Sequence, residues 1–236
     1  MLRMNSEIQF EKDIYTKALE ILKKSIIKEI NEKGSVNLGL PGGRSVTPIL
    51  SKLKEESIAW EKVHVFMVDE RLVSIDDSLS NFRLIKQELS EAVPKDNLHP
   101  FIFDKNATDF GLKRYEEEIK KYGGKYDIVL LSSGEDGHIA SLFPEHPALR
   151  DESDYYVLVE NAPKLPPMRV SVSKIFLKRS HIGVLLFAGI EKKNAFKKFL
   201  NSQLSYEKCP AKIVLELPES YVLTNINRNE VEDKYE

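Results

Sequence analysis

The sequence is almost without cysteine. Cys209 is the single one in 236 residues, so no disulfide can close within the chain and a disulfide-stapled secreted scaffold is excluded. One thiol cannot supply a zinc-binding cysteine cluster either, and no metal site is expected. Net charge is nearly absent too. The 35 basic and 37 acidic side chains leave −2, which is not the electrostatic footprint of a nucleic-acid binder. A local cluster of Arg and Lys for a small phosphorylated molecule stays compatible with that balance. Long apolar runs are missing. The longest, Val184 to Ala188 with its neighbours, is far too short to span a bilayer. Met1 to Phe10 lacks the apolar core of a signal segment, so the expectation is a soluble, cytoplasmic protein with no membrane partner. Repeats, low-complexity stretches and linkers are also lacking, and the length suits one α/β domain over residues 1–236. A chain of that size buries a core without disulfides or metals.

What is present is an alternation of helical and extended patterns. Residues 6–32 read as one amphipathic helix, with Ile8, Ile14, Ala18, Leu22, Ile26 and Ile30 on one face. Ser35–Leu40 reads as a strand. A helix opens near Val46, with Thr47 as its N-cap and Pro48 in its first turn. Val63–Val68 is a strand, 80–92 a helix, His99–Phe103 a strand and 109–122 a helix. Tyr126–Leu131 is the clearest buried strand. Shorter strands follow at 154–160 and 169–172, a second buried one at 181–188, and a basic helix at 191–200. The charged tail from Arg228 is expected to fray. Alternation of this kind predicts an α/β fold with a mostly parallel, covered sheet. Ligands bind such sheets at the carboxyl ends of the strands.

The unusual residues sit at those ends. Gly42-Gly43-Arg44-Ser45 follows a strand and precedes a helix. Its glycines permit a tight turn, and its amides, with Arg44 and Ser45, suit a phosphate. Alone, the segment fits a plain strand-to-helix connection equally well. Asp69-Glu70-Arg71 ends another strand. There Asp69 suits a base or a hydroxyl-orienting role, and Arg71 a bidentate anion clamp. Gly134-Glu135-Asp136-Gly137-His138 ends the most buried strand. His138 is the side chain best suited to take a proton near neutral pH, with Asp136 beside it and Gly134 and Gly137 allowing close backbone approach. Arg169 and Lys192 are further candidate cations. His64, His99, His146 and His181 have no supporting pattern and read as structural.

Taken in order, these segments resemble the 6-phosphogluconolactonase family. The resemblance runs from the first helix to about Leu200 and rests on five blocks. They are Leu40-Pro41-Gly42-Gly43-Arg44-Ser45; Val68-Asp69-Glu70-Arg71 with Ser80-Asn81-Phe82; Gly134-x-Asp136-Gly137-His138-x-Ala140-Ser141-Leu142-Phe143-Pro144; Pro167-Met168-Arg169-Val170-Ser171; and Gly189-Ile190-Glu191-Lys192. The resemblance implies a doubly wound, mostly parallel Rossmann-like sheet with helices on both faces. It also implies cofactor-free hydrolysis of a sugar-phosphate lactone, the second step of the oxidative pentose phosphate pathway. The implied roles are catalysis by His138, Asp136 and Asp69, and substrate binding by Gly42, Gly43, Arg44, Ser45, Arg71, Gly134, Gly137, Arg169 and Lys192. The family's fold is shared with glucosamine-6-phosphate deaminase, which usually carries a glutamate where this chain has Phe143, and Asp-Glu-Tyr where it has Asp69-Glu70-Arg71. Two departures from the family pattern are a missing C-terminal Trp-x-x-Asp, replaced by Tyr221–Asn225, and Ser133 in place of a common methionine. The alternative readings are that deaminase and a non-catalytic sugar-phosphate sensor. The sequence leaves the oligomeric state open and is compatible with a monomer.

Overall fold

The computed structural model describes residues 6–231. It begins with a strand, β1 (Ser6–Phe10), where the sequence pattern suggested helix. Ile8 and Phe10 satisfy a period of two as well as one of 3.6 over so short a stretch. Asp13 decides the boundary: its carboxylate accepts the Thr16 amide at 3.1 Å and the Thr16 hydroxyl at 2.6 Å, an N-cap that opens α1 (Ile14–Lys33). Gly34, at φ 86°, closes that helix in the left-handed conformation. The buried face of α1 carries Ile14, Ala18, Leu22, Ile26 and Ile30.

The chain continues through β2 (Val36–Leu40), α2 (Thr47–Leu53), β3 (Val63–Met67), β4 (Asp69–Arg71) and α3 (Asn81–Leu89). Then come β5 (Leu98–His99), α4 (Leu112–Lys121), β6 (Ile128–Ser132), β7 (Tyr156–Val159) and β8 (Arg169–Val172). The last elements are α5 (Lys174–Lys178), β9 (Ile182–Phe187), α6 (Lys193–Leu200), β10 (Glu219–Thr224) and α7 (Arg228–Val231). Seven strands form one sheet in the order β1-β10-β9-β6-β2-β3-β5, and each neighbouring pair is parallel. A second, antiparallel sheet has the order β4-β8-β7.

The strand order creates a switch point. From β2 the chain winds outward through β3 to β5; it then returns to β6 on the other side of β2 and winds the opposite way through β9 to β10. Right-handed crossovers in opposite directions place helices on opposite faces. α1 packs on α2 and α2 on α3, while α5 meets the 210–216 segment. The carboxyl ends of β2 and β6 diverge at the switch, where α/β sheets hold ligands. Val68 leads straight from β3 into β4, and its carbonyl accepts the Val172 amide at 2.7 Å, which ties the small sheet to the strand ends.

Three further expectations are corrected, and one strand is added. Thr47 is not an N-cap: Val46 holds that position without a side-chain cap, and the Thr47 hydroxyl donates weakly to the Gly43 carbonyl at 3.4 Å. The strand expected at 99–103 pairs only at Leu98–His99, because Pro100 brings no amide hydrogen to the ladder. The strand β10, between β1 and β9, was not anticipated, although Val222 and Leu223 are fully buried. The tail from Arg228 holds a short helix that buries Val231 and sets the Arg228 guanidinium 4.8 Å from the Phe10 ring centre. The rest of that tail, 232–236, lies outside the described residues.

Candidate active site

At the switch point lies a cleft of about 170 Å³. Pro41, Gly42, Gly43 and Ser45 form one wall after β2, and Ser132, Ser133, Gly134 and His138 form another after β6. Asp69, Arg71 and Asn81 come from β4 and the start of α3. Lys164 and Arg169 come from the small sheet and its connecting loop, and Lys192 from the turn after β9.

His138 is held from three sides. Its Nδ1 lies 2.5 Å from Asp136 Oδ1, and that same oxygen accepts the His138 amide at 3.1 Å. The Gly134 amide donates to the His138 carbonyl at 2.8 Å. The imidazole lies flat on Gly134, where a Cβ would stand 2.0 Å from ring atoms, so only glycine fits. Phe143 packs on the ring at 4.6 Å between centroids. Partial burial alone would raise the Asp136 pKa. The hydrogen bond and positive charge of His138 overcome that and hold the carboxyl well below the usual carboxylate range. An ionised carboxylate only accepts, so Nδ1 carries the proton. Nε2 is then the basic nitrogen left for a ligand, since the ring lines the cleft and Asp136 stands behind it.

The Asp-Glu-Arg segment divides its work. Glu70 is buried and accepts the amides of Arg71, Asn81 and Phe82 and the Ser80 hydroxyl, all at 2.7–2.9 Å. Burial raises its pKa against those bonds. It is therefore the post that fixes α3 to β4. Asp69 is also buried but reaches the cleft, with Oδ2 accepting the Ser141 hydroxyl at 2.7 Å and Oδ1 the Asn81 side-chain Nδ2 at 3.2 Å. Gly42 packs on Asn81 so closely that a Cβ would lie 2.0 Å from its Oδ1. The Arg71 guanidinium donates to the Leu79 carbonyl, and its buried Nε has no partner among the described residues. A buried donor without an acceptor costs about 1–3 kcal/mol.

Of the residues expected from sequence, Gly42, Gly43, Ser45, Asp69, Arg71, Gly134, His138, Arg169 and Lys192 converge on this cleft. Arg44 does not line it and is exposed on the turn. Gly137 also lies off the lining, and its amide already donates to the Gly134 carbonyl at 3.2 Å. Asn81 and Lys164 were not assigned to the site. Asn81 stood within the quoted Ser-Asn-Phe block; Lys164 carried no signal beyond its Pro-rich neighbourhood. Asn225, in the segment that departs from the family pattern, accepts the Gly189 amide at 2.8 Å and so braces the turn that presents Lys192. Among the described residues no group of three or more His, Cys, Asp or Glu is placed to share a metal ion. No helix among them is long and apolar enough to cross a membrane. A larger cavity, about 610 Å³, lies beside β5 and α4 with mostly apolar walls. The smaller cleft is the better candidate because it gathers the cations and an oriented imidazole at the switch point.

The family model described as glucosamine-6-phosphate isomerases/6-phosphogluconolactonase matches residues 10–223. A 6-phosphogluconolactonase of Borreliella burgdorferi is 36% identical over 82% of this chain and 85% of its own length. One from Thermotoga maritima is 32% identical over 77% of this chain and 82% of its own. The solved structure of a Thermotoga maritima 6-phosphogluconolactonase superposes with a TM-score of 0.80 at 28% identity, covering 93% of this chain and 99% of that one. A Trypanosoma cruzi 6-phosphogluconolactonase, at 21% identity and a TM-score of 0.82, shares the fold over 99% of this chain and 97% of its own. With its five sequence blocks gathered at one switch point and the match extending over most of its length, the chain belongs to the glucosamine-6-phosphate isomerase/6-phosphogluconolactonase family.

Proposed function

We propose that this protein is a cytoplasmic enzyme, acting as one α/β domain, that hydrolyses 6-phospho-D-glucono-1,5-lactone to 6-phosphogluconate. The observation that carries the reading is the His138–Asp136 pair, with one imidazole nitrogen fixed and the other turned to a cleft rich in cations. Hydrolysis of a ring ester transfers no electrons and calls for no redox cofactor. It needs a base for water, donors for an oxyanion and an acid for the leaving oxygen.

His138 supplies the first and the last. Its Nε2 takes a proton from water as the oxygen attacks C1. The tetrahedral intermediate collapses, the bond from C1 to the ring oxygen breaks, and the imidazolium returns the proton to that oxygen. Asp136 holds the tautomer that makes this possible and stabilises the imidazolium. Backbone amides near Gly43 or Gly137 are the candidate oxyanion donors, and the amide of Gly137 itself already donates to the Gly134 carbonyl. Asp69, with Ser141 and Asn81 on its two oxygens, is suited to orient a sugar hydroxyl and leaves the base role to His138. Arg71 and Lys192 draw in the phosphate.

The deaminase reading needs an acid after His138. Phe143 occupies that place and is buried against the imidazole. The next acid, Glu145, is exposed and paired with Lys208 at 2.5 Å. The test is lactone hydrolysis by chelator-treated protein, followed against the spontaneous rate, beside an ammonia assay on glucosamine 6-phosphate. Rapid hydrolysis without ammonia is expected. Ammonia release without hydrolysis would make the protein the deaminase; silence in both would favour a sugar-phosphate sensor.

A further inference from the structure

Arg169 is buried, yet most of its hydrogen-bonding capacity is turned away from the cleft it lines. Nε donates to the Pro166 carbonyl at 3.0 Å. One terminal nitrogen donates to the carbonyls of Lys164 at 2.9 Å and Leu165 at 3.1 Å. The other reaches the Ser141 hydroxyl at 3.4 Å. A guanidinium has five N–H groups. Four are committed here, so a bidentate grip on a phosphate is not open to it without releasing the loop. Its plane is further fixed by Phe143, whose ring centre lies 5.5 Å from the guanidinium carbon.

The loop it grips joins β7 to β8. Its base is closed by the Ala162 amide donating to the Pro167 carbonyl at 3.0 Å, and its end is tied where the Leu72 amide donates to the Met168 carbonyl at 3.2 Å. The tip projects, with Leu165 86% exposed. Lys164, at that tip, lines the cleft, and its ammonium has no ion-pair partner among the described residues. The same cleft is lined by Arg71, the register partner of Arg169 on β4, and by Lys192.

We infer that Lys164 is a phosphate-binding residue of this site, and that Arg169 is a positioning residue that folds the 161–168 loop so that Lys164 faces the ligand. A lysine could not replace Arg169, since an ammonium cannot present the planar fork that meets three successive carbonyls. The chemistry recognised is a phosphate monoester on a sugar acid or its lactone. The inference rests on the proposed lactonase reading for the identity of the ligand, but not for the geometry.

The test is a double-substitution cycle read by calorimetric binding of the product 6-phosphogluconate, with gluconate as the unphosphorylated control. Neither measurement needs turnover, so failure of the activity and failure of this assignment are distinguishable. Lys164→Ala should weaken 6-phosphogluconate by about 10- to 100-fold, the range of one charge-assisted hydrogen bond, and leave gluconate unchanged. Lys164→Arg should restore most of the loss. Arg169→Lys should weaken 6-phosphogluconate as much as Lys164→Ala does, and should add less than about 3-fold in the Lys164→Ala background, because both act through one group. Unchanged binding in Lys164→Ala would overturn the ligand assignment. Additive losses would overturn the positioning role and make Arg169 an independent ligand. No binding of 6-phosphogluconate by the parent protein would overturn both. Lys164 is exposed, so its variants test the first assignment even where an Arg169 variant fails to fold.

Discussion

The His138–Asp136 pair and the His64–His99–Glu118 chain use the same kinds of group, and their surroundings set them apart. His99 Nδ1 lies 3.0 Å from Glu118 Oε1 and His99 Nε2 lies 3.2 Å from His64 Nδ1, so both of its nitrogens are spent inside the protein. Phe66 stacks on the His99 ring at 4.3 Å with planes 7° apart, and Tyr122 lies against both imidazoles. His138 spends one nitrogen on Asp136 and keeps the other. Around it stand Arg71, Lys164, Arg169 and Lys192, with Asp69 as the single carboxylate on the lining. His99 and Glu118 line the roomier cavity, yet its walls are mostly apolar and it lies at the end strand of the sheet rather than at its switch point. A histidine–carboxylate contact thus differs in what it offers a ligand according to which nitrogen is left over and what field it faces.

Substitution should separate the two most sharply at the histidines themselves. His138→Ala should lower kcat by about 10²–10⁴-fold with a modest change in KM, whereas His99→Ala should leave kcat within a few-fold and lower stability. Steady-state kinetics beside urea unfolding reads both. Wild-type kcat in the His138 variant would remove the base assignment. A smaller effect is expected from Gly134→Ala. The new Cβ would stand 2.0 Å from the imidazole, so the ring must turn from the cleft, and a displacement near 1 Å costs about 10²-fold in rate. Retained kcat with a normal pH–rate profile in that variant would mean that the orientation of the ring on Gly134 is not needed for turnover.

The same contrast shows what could be read from the sequence. Strand ends with Gly, Asp and His were legible because turns and polar clusters interrupt apolar runs, and nine of the expected site residues meet in one cleft. Arg44 looked like its neighbours, but the turn points it to solvent, and no local pattern reports that. Lys164 was invisible because its place depends on Arg169 gripping carbonyls three to five residues upstream. β10 escaped notice although Pro218 and Asn225 bound it; its partners β1 and β9 come from distant parts of the chain. The small antiparallel sheet was hidden for the same reason, since β4 pairs with a strand about a hundred residues on.

The mildest expected effect is a pH dependence of stability that belongs to the His64–His99 chain. Burial is the main cause that lowers the pKa of both imidazoles below the ordinary 6.5, with the Glu118 charge opposing it. The folded protein therefore holds these groups neutral over a range where the unfolded chain has already taken up protons. In that range the unfolded state binds more protons, so stability rises with pH. The contribution is complete above 6.5 and is lost as pH falls below it toward the folded values. The melting temperature of the parent protein should drop between pH 7 and pH 5 more steeply than that of a His64→Asn, His99→Gln variant, even though the variant starts lower. Equal slopes would mean that the chain releases no proton-linked stability. Repeating the comparison in a His138→Ala background would show whether the slope belongs to the His64–His99 chain.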